Sequence, residues 1–139
     1  MRERRAVIDT NVLYAGLYSA KGASYQLLCL IESGHIAPIL STTLLLEYEE
    51  ILKRHQSILG FSARAIEDVL DGFCERSECH RIHYLWRPQL PDPKDDHILE
   101  LAVAAGSADI VTYNVRDFAG ASTFGIRIMR PAELLGEMK

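Results

Sequence analysis

Cysteine is scarce in this chain: Cys29, Cys74 and Cys79 are the only three in 139 residues. An odd and sparse set excludes a disulfide framework as the organising principle and points to a reducing compartment. Long hydrophobic runs are missing as well. None approaches the ~20 residues that cross a bilayer, so no membrane association is expected. The opening MRERRAVIDTN is basic, but its apolar stretch is short and ends in an acid, unlike the apolar region of a signal peptide. Cytoplasmic residence is the default. An excess of positive charge is also lacking, and a net charge of −4 has the wrong sign for holding nucleic acid on a basic surface. There is no internal repeat and no low-complexity tract. What remains is 48% hydrophobic and 24% charged, near the averages of soluble proteins. Residues 1–139 are the length of one domain.

The patterning predicts alternating strands and helices. Ala6 to Ile8 is a short buried strand that Asp9 ends, followed by a helix from about Asn11 to Tyr18. Ser24 suits the cap of a helix carrying Leu27, Leu28, Leu30 and Ile31, and Gly34 suits its C-terminal position. Ile36 to Leu40 reads as the second strand. Ser41 or Thr42 then opens a helix to about His55, with Leu45, Tyr48 and Leu52 spaced to face a core. Ser62 caps a further helix whose apolar face is Ile66, Val69, Leu70 and Phe73. A third strand is expected near Arg81 to Leu85. The prolines Pro88, Pro91 and Pro93 make the next segment an extended loop, ahead of a helix from Asp95 to Ala105 that Gly106 stops. Ala108 to Tyr113 and Ile126 to Met129 are the last strands, and Pro131 starts a final helix. This order implies a three-layer α/β/α fold around a mainly parallel sheet of about five strands.

Asp9, Glu47, Asp95 and Asp117 each follow a predicted strand of that sheet. Segments leaving the C-terminal edge of a parallel sheet emerge on the same side, so these four acids converge there. Converging carboxylates call for a cation between them, and clustered acids filled with divalent ions attract phosphate. Each residue alone has a plainer reading. Asp9 could be an N-cap, and Glu47 an exposed or salt-bridged glutamate beside the solvated Glu49 and Glu50. Acids in the first turn of a helix also favour its dipole, which covers Asp92, Asp95 and Asp96. Helical phase separates these last: Ile98, Leu99 and Ala102 fall in line with Asp95, which makes Asp95 the site residue and Asp96 a supporting one. Asn114 could be a turn cap, and Asp117 a surface acid. Their joint placement carries the argument.

At these residues the chain resembles the PIN-domain family and, more narrowly, the VapC-like toxin components of toxin–antitoxin pairs. The matching pieces are VIDTNVL, STTLLLEYEEIL, DPKDDHILELAVAAGSADIVT and TYNVRDF with GIRIMRPAELL. The resemblance implies that Asp9, Glu47 and Asp95 bind Mg²⁺ or Mn²⁺, with Thr10, Asn11 and Thr112 supporting the site. Relatives reading T-x-D place the fourth acid where this chain has Asn114; those reading T-x-N-x-x-D-F match Asp117. It further implies endoribonuclease activity on single-stranded RNA, a homodimer, and an antitoxin protein that blocks the acidic cleft. Hard oxygen ligands suit Mg²⁺ and Mn²⁺, and the expected reaction is metal-assisted phosphodiester hydrolysis with no covalent protein intermediate.

Two other functions compete. A phosphotransferase could use Asp9 as nucleophile, although such enzymes usually carry a second aspartate where this chain has Asn11. A binding-only module for RNA or a partner protein is favoured by Asn114. Cys74, Cys79, His80 and His83 lie close enough in sequence for a zinc site, but without the paired two-residue knuckles of one. Leu27, Leu28, Leu30 and Ile31, with the helix from Ser62, could offer a partner surface or simply pack the core. Tyr84 and Trp86 could stack on bases. Arg2, Arg4, Arg5, Lys94, Arg116, Arg127 and Arg130 are the cations available to RNA.

Overall fold

A computed structural model describes residues 4–82 and 90–138 of the chain. Strand β1 spans Arg4–Ile8, followed by helices α1 (Thr10–Tyr18) and α2 (Ala23–Glu32) and strand β2 (Ile36–Leu40). Helices α3 (Thr42–Arg54), α4 (Gln56–Leu59) and α5 (Ala63–Arg76) lead to β3 (Glu78–Cys79). A 3-10 turn at Pro93–Asp95 runs into α6 (Asp96–Ala104), then come β4 (Asp109–Val111), a 3-10 stretch Val115–Phe124, β5 (Ile128–Met129) and α7 (Pro131–Met138).

The five strands form one sheet in the order β3-β2-β1-β4-β5, every pair parallel. The expected parallel α/β architecture is therefore present. The chain builds outward from β1 on one side through β2 and β3, then returns to the other side for β4 and β5. The switch point lies between β1 and β4, where Ile8 stands opposite Val111. In open α/β sheets, the crevice beyond the strand ends at that point is where ligands bind.

Burial explains why the strands are so apolar. All five residues of β2 are buried, and Val7 and Ile8 of β1 have no exposed surface, because helices cover both faces. Pro38 sits in this strand without an amide to donate, and the ladder to β3 begins only at Ile39. The expected caps at Ser41 and Ser62 are real: each hydroxyl accepts from the amide three residues on, at 3.1 and 3.0 Å. Gly34 and Gly106 take positive φ of 84° after α2 and α6, as helix-terminating glycines do.

Three expectations need correction. Ser24 is not a cap; Gly22 holds that position, and Ser24 lies inside α2, buried, with its hydroxyl bonded to that of Tyr113. The third strand comes earlier than the expected Arg81 to Leu85. Arg81 and Ile82 are outside any strand, residues 83–85 lie outside the described residues, and β3 is Glu78–Cys79. A two-residue edge strand is fixed by its register with β2 rather than by a periodicity of its own, so no pattern announces it. No helix is expected between the last two strands, yet Val115–Phe124 winds as 3-10 helix and buries Phe118 and Ala121.

Candidate active site

Asp9 is the first residue past β1, and it serves as the N-cap of α1, its carboxylate accepting from the Thr10 amide at 2.8 Å. The pairing of Ile8 with Val111 brings the residue after β4, Thr112, beside it. The fully buried Thr112 hydroxyl donates to the other Asp9 oxygen at 2.6 Å. The cap reading and the site reading of Asp9 thus both hold, one for each oxygen.

Glu47 reaches the same place because Tyr48 anchors its helix. The buried Tyr48 hydroxyl donates to the Ile8 carbonyl at 2.5 Å, so α3 is tied to the last residue of β1 and Glu47 lies next to Asp9. The Thr10 hydroxyl donates to one Glu47 oxygen, and His97 Nε2 lies 3.1 Å from the other. His97 belongs to α6, is buried, and leaves Nδ1 without a partner. Sequence reasoning missed this residue. Its signal is a histidine within the apolar run HILELAVA, directly after Asp95 and Asp96.

Asp95 approaches from the 3-10 turn before α6 and takes no capping hydrogen bond. Burial, followed by the charges of Asp9, Asp92, Glu47 and Asp117, pushes its pKa up to about 6. Burial also raises Asp9, with the hydrogen bonds from Thr112 and Thr10 opposing it. For Glu47 burial pushes upward, but the bonds from His97 and Thr10 and the His97 charge outweigh it and leave the group below its usual value.

Asp9, Thr10, Asn11, Glu47, Asp95 and Asn114 line one cavity of ≈ 560 Å³, together with Tyr14, His55, Arg54 and Lys94. Two of the expected site residues stand apart. Asp96 is 1% exposed and turns its Oδ1 to the Leu90 amide at 2.9 Å, holding Leu90 against the start of α6. Asp117 does not line the cavity, although its charge is felt at Asp95. Asn114 occupies the cavity wall instead, with its backbone N–H donating to Thr112 Oγ1 at 3.0 Å.

The donor set suits a hard divalent cation. It consists of carboxylate oxygens, and the raised Asp95 marks a place short of positive charge. As the side chains stand, no three His, Cys, Asp or Glu groups among the described residues form a set that could hold an ion. Asp9 and Glu47 already give their oxygens to Thr10, Thr112 and His97, though a carboxylate oxygen has a second lone pair to offer. The zinc alternative gains nothing: His80 is paired with Glu78, and His83 lies outside the described residues.

Most of the basic residues expected to meet RNA lie elsewhere. Arg4 pairs with Asp109 and Glu137, Arg127 with the same two acids, Arg5 with Glu78, and Arg130 with Glu133. Tyr84, Trp86 and Arg2 fall outside the described residues, and Arg116 is exposed but does not line the cavity.

A parallel α/β sheet with acids gathered at its switch point is the architecture of an acidic-cleft α/β protein. The chain belongs to the PIN domain family, whose model matches residues 5–116. It is similar in fold to a chain in the crystal structure of VapBC2 from Rickettsia felis bound to a DNA fragment from their promoter, with a TM-score of 0.65. That likeness covers 91% of this chain and 98% of the other at 16% identity. No curated protein matches the chain. Among the described residues, no helix is long and apolar enough to cross a membrane.

Proposed function

We propose that this protein is a Mg²⁺- or Mn²⁺-dependent endoribonuclease that hydrolyses phosphodiester bonds of single-stranded RNA. We further propose that it is the cytoplasmic toxin of a toxin–antitoxin pair, working as a homodimer and held in check by an antitoxin protein. The observation that carries the reading is the gathering of Asp9, Glu47 and Asp95 in one cavity, where burial and nearby carboxylates raise Asp95 to about 6. The PIN-domain match and the fold shared with a chain of VapBC2 support it.

Asp9, Glu47 and Asp95 are the residues that would hold the ions, with Asp117 as an outer acid. When bound, such ions supply Lewis acidity at the scissile phosphate and neutralise its charge. The chain's own residues prepare the place. Thr112 and the Thr10 amide orient Asp9, Thr10 and His97 orient Glu47, and the absence of a hydrogen bond to the Asp95 side chain from the helix it caps leaves that group free to turn toward a cation. Asn11 stands where a phosphotransferase of this kind would carry its second aspartate, which speaks against Asp9 as a nucleophile. A binding-only module is the second reading, favoured by Asn114 on the cavity wall where a fourth acid would strengthen metal binding.

The deciding experiment is cleavage of a mixed single-stranded RNA pool by the purified protein with Mn²⁺, with EDTA, and with Asp9→Asn. Cutting that requires both the metal and Asp9 supports the nuclease. A folded, antitoxin-free sample that binds RNA without cutting it supports the module.

A further inference from the structure

One wall of the cavity is aromatic, and the acidic centre does not account for it; Tyr14 packs in part against the core, but the exposed Tyr18 beyond it does not. In α1, Gly16 faces α2 so closely that a Cβ there would lie 2.5 Å from Leu28 Cδ1 and 3.0 Å from the Ser24 carbonyl oxygen. Residues two before and two after are carried about 200° round the helix, to the opposite side. Those residues are Tyr14 and Tyr18. Their rings stack with centroids 6.0 Å apart and planes 12° from parallel. The ring of His55, at the end of α3, meets Tyr14 at 5.2 Å and 66°. Its Nδ1 is fixed 3.0 Å from the Ile51 carbonyl oxygen.

Tyr14 and His55 line the same cavity as Asp9, Glu47 and Asp95, with Arg54 beside them. Tyr18, 61% exposed, continues the stripe outward by one turn of helix. A tyrosine that exposed contributes little to the core, and beyond its stack on Tyr14 most of its surface is open to a further planar partner. Rings in series that begin at such an acidic centre offer stacking faces to unpaired bases, while the Arg54 guanidinium beside them is already paired with Glu50.

We infer that Tyr14, Tyr18 and His55 form a nucleobase-binding subsite for the single-stranded RNA that flanks the scissile phosphate. This rests on the nuclease reading. It explains how a chain of net charge −4 keeps hold of RNA: stacking, which is indifferent to charge, replaces a basic surface.

The test is fluorescence anisotropy with the whole protein in Ca²⁺, using a short labelled single-stranded RNA and an abasic strand of equal length and charge. Cleavage of the RNA by the wild type in Mn²⁺ is measured alongside. Tyr18→Ala should weaken binding of the base-bearing strand roughly tenfold and leave the abasic strand unchanged. Tyr14→Leu should act in the same direction, whereas Tyr14→Phe, which keeps the ring, should bind as the wild type does. If Tyr18→Ala and Tyr14→Leu both bind the base-bearing strand like a wild type that cuts RNA, the subsite is refuted and the nuclease stands. A wild type that neither binds nor cuts refutes both.

Discussion

The two ends of the sheet treat their acids in opposite ways. Near the start of β1 and β4, Asp109 and Glu137 lie between Arg4 and Arg127, so each carboxylate meets a guanidinium. At the sheet's edge, Glu78 of β3, held by Arg5 and then by His80, is likewise pulled down to about 2. Beyond the strand ends, Asp9, Glu47 and Asp95 share one cavity, none of them forms an ion pair with a lysine or arginine among the described residues, and Asp95 is pushed up to about 6. Where charge is compensated, the acids stitch elements together. Where it is left uncompensated, stability is given up for a place that a cation would complete.

The largest effect that sharpens this contrast is on activity. Asp9→Asn should lower Mn²⁺-dependent RNA cleavage by at least about 10²-fold, as expected when a metal-holding group is lost. Glu137→Gln, also an acid but paired at the other end, should leave the rate unchanged. Next comes the hydroxyl that steadies Asp9. Thr112→Val removes a buried donor and should destabilise the metal-free protein by about 1–3 kcal/mol in urea denaturation. Arg4→Ala, at a partly exposed ion pair, should cost less than about 1 kcal/mol in the same assay.

Removing charge from Asp95 should have the opposite sign. Folded Asp95 keeps its proton to about pH 6, whereas the unfolded chain loses it near 3.8. Between those values the folded state binds more protons, so Asp95 makes metal-free stability fall as pH rises through that window and level off above it. Asp95→Asn should therefore stabilise the metal-free protein at pH 7, by roughly 1 kcal/mol once solvent screening of a half-exposed group is discounted, and should flatten that slope. A slope unchanged in the variant would show that Asp95 carries no strain. The smallest effect expected is from Asn114→Asp, which adds an acid to the cavity wall and should tighten Mn²⁺ binding severalfold by calorimetry. Unchanged affinity would show that Asn114 lies too far from the ion to matter.

Much of this architecture is legible in the sequence. The apolar runs of β1 and β2, the caps Ser41 and Ser62 and the glycines at 34 and 106 are local signals, and local signals survive folding. Asp9, Glu47 and Asp95 can be read because a parallel sheet gathers whatever follows its strands. Features set by distant partners are not legible. β3 owes its place to the register of β2, and Ser24 is drawn inward by Tyr113, so its preference for a cap loses to a tertiary bond. His97 carries no motif; only the packing of α6 beside α3 turns it toward Glu47. The basic residues mislead for the same reason, since sequence shows a positive charge but not the acid that already holds it.

The most direct test of the central claim is Mn²⁺ titration calorimetry of the wild type, Asp9→Asn and Asp95→Asn, run in two buffers at pH 5.5 and 7.5 to count protons released. The account predicts saturable binding that fails without Asp9 and displaces more protons at the lower pH, where Asp95 begins protonated. Absence of binding that depends on Asp9, in a folded sample, would contradict it.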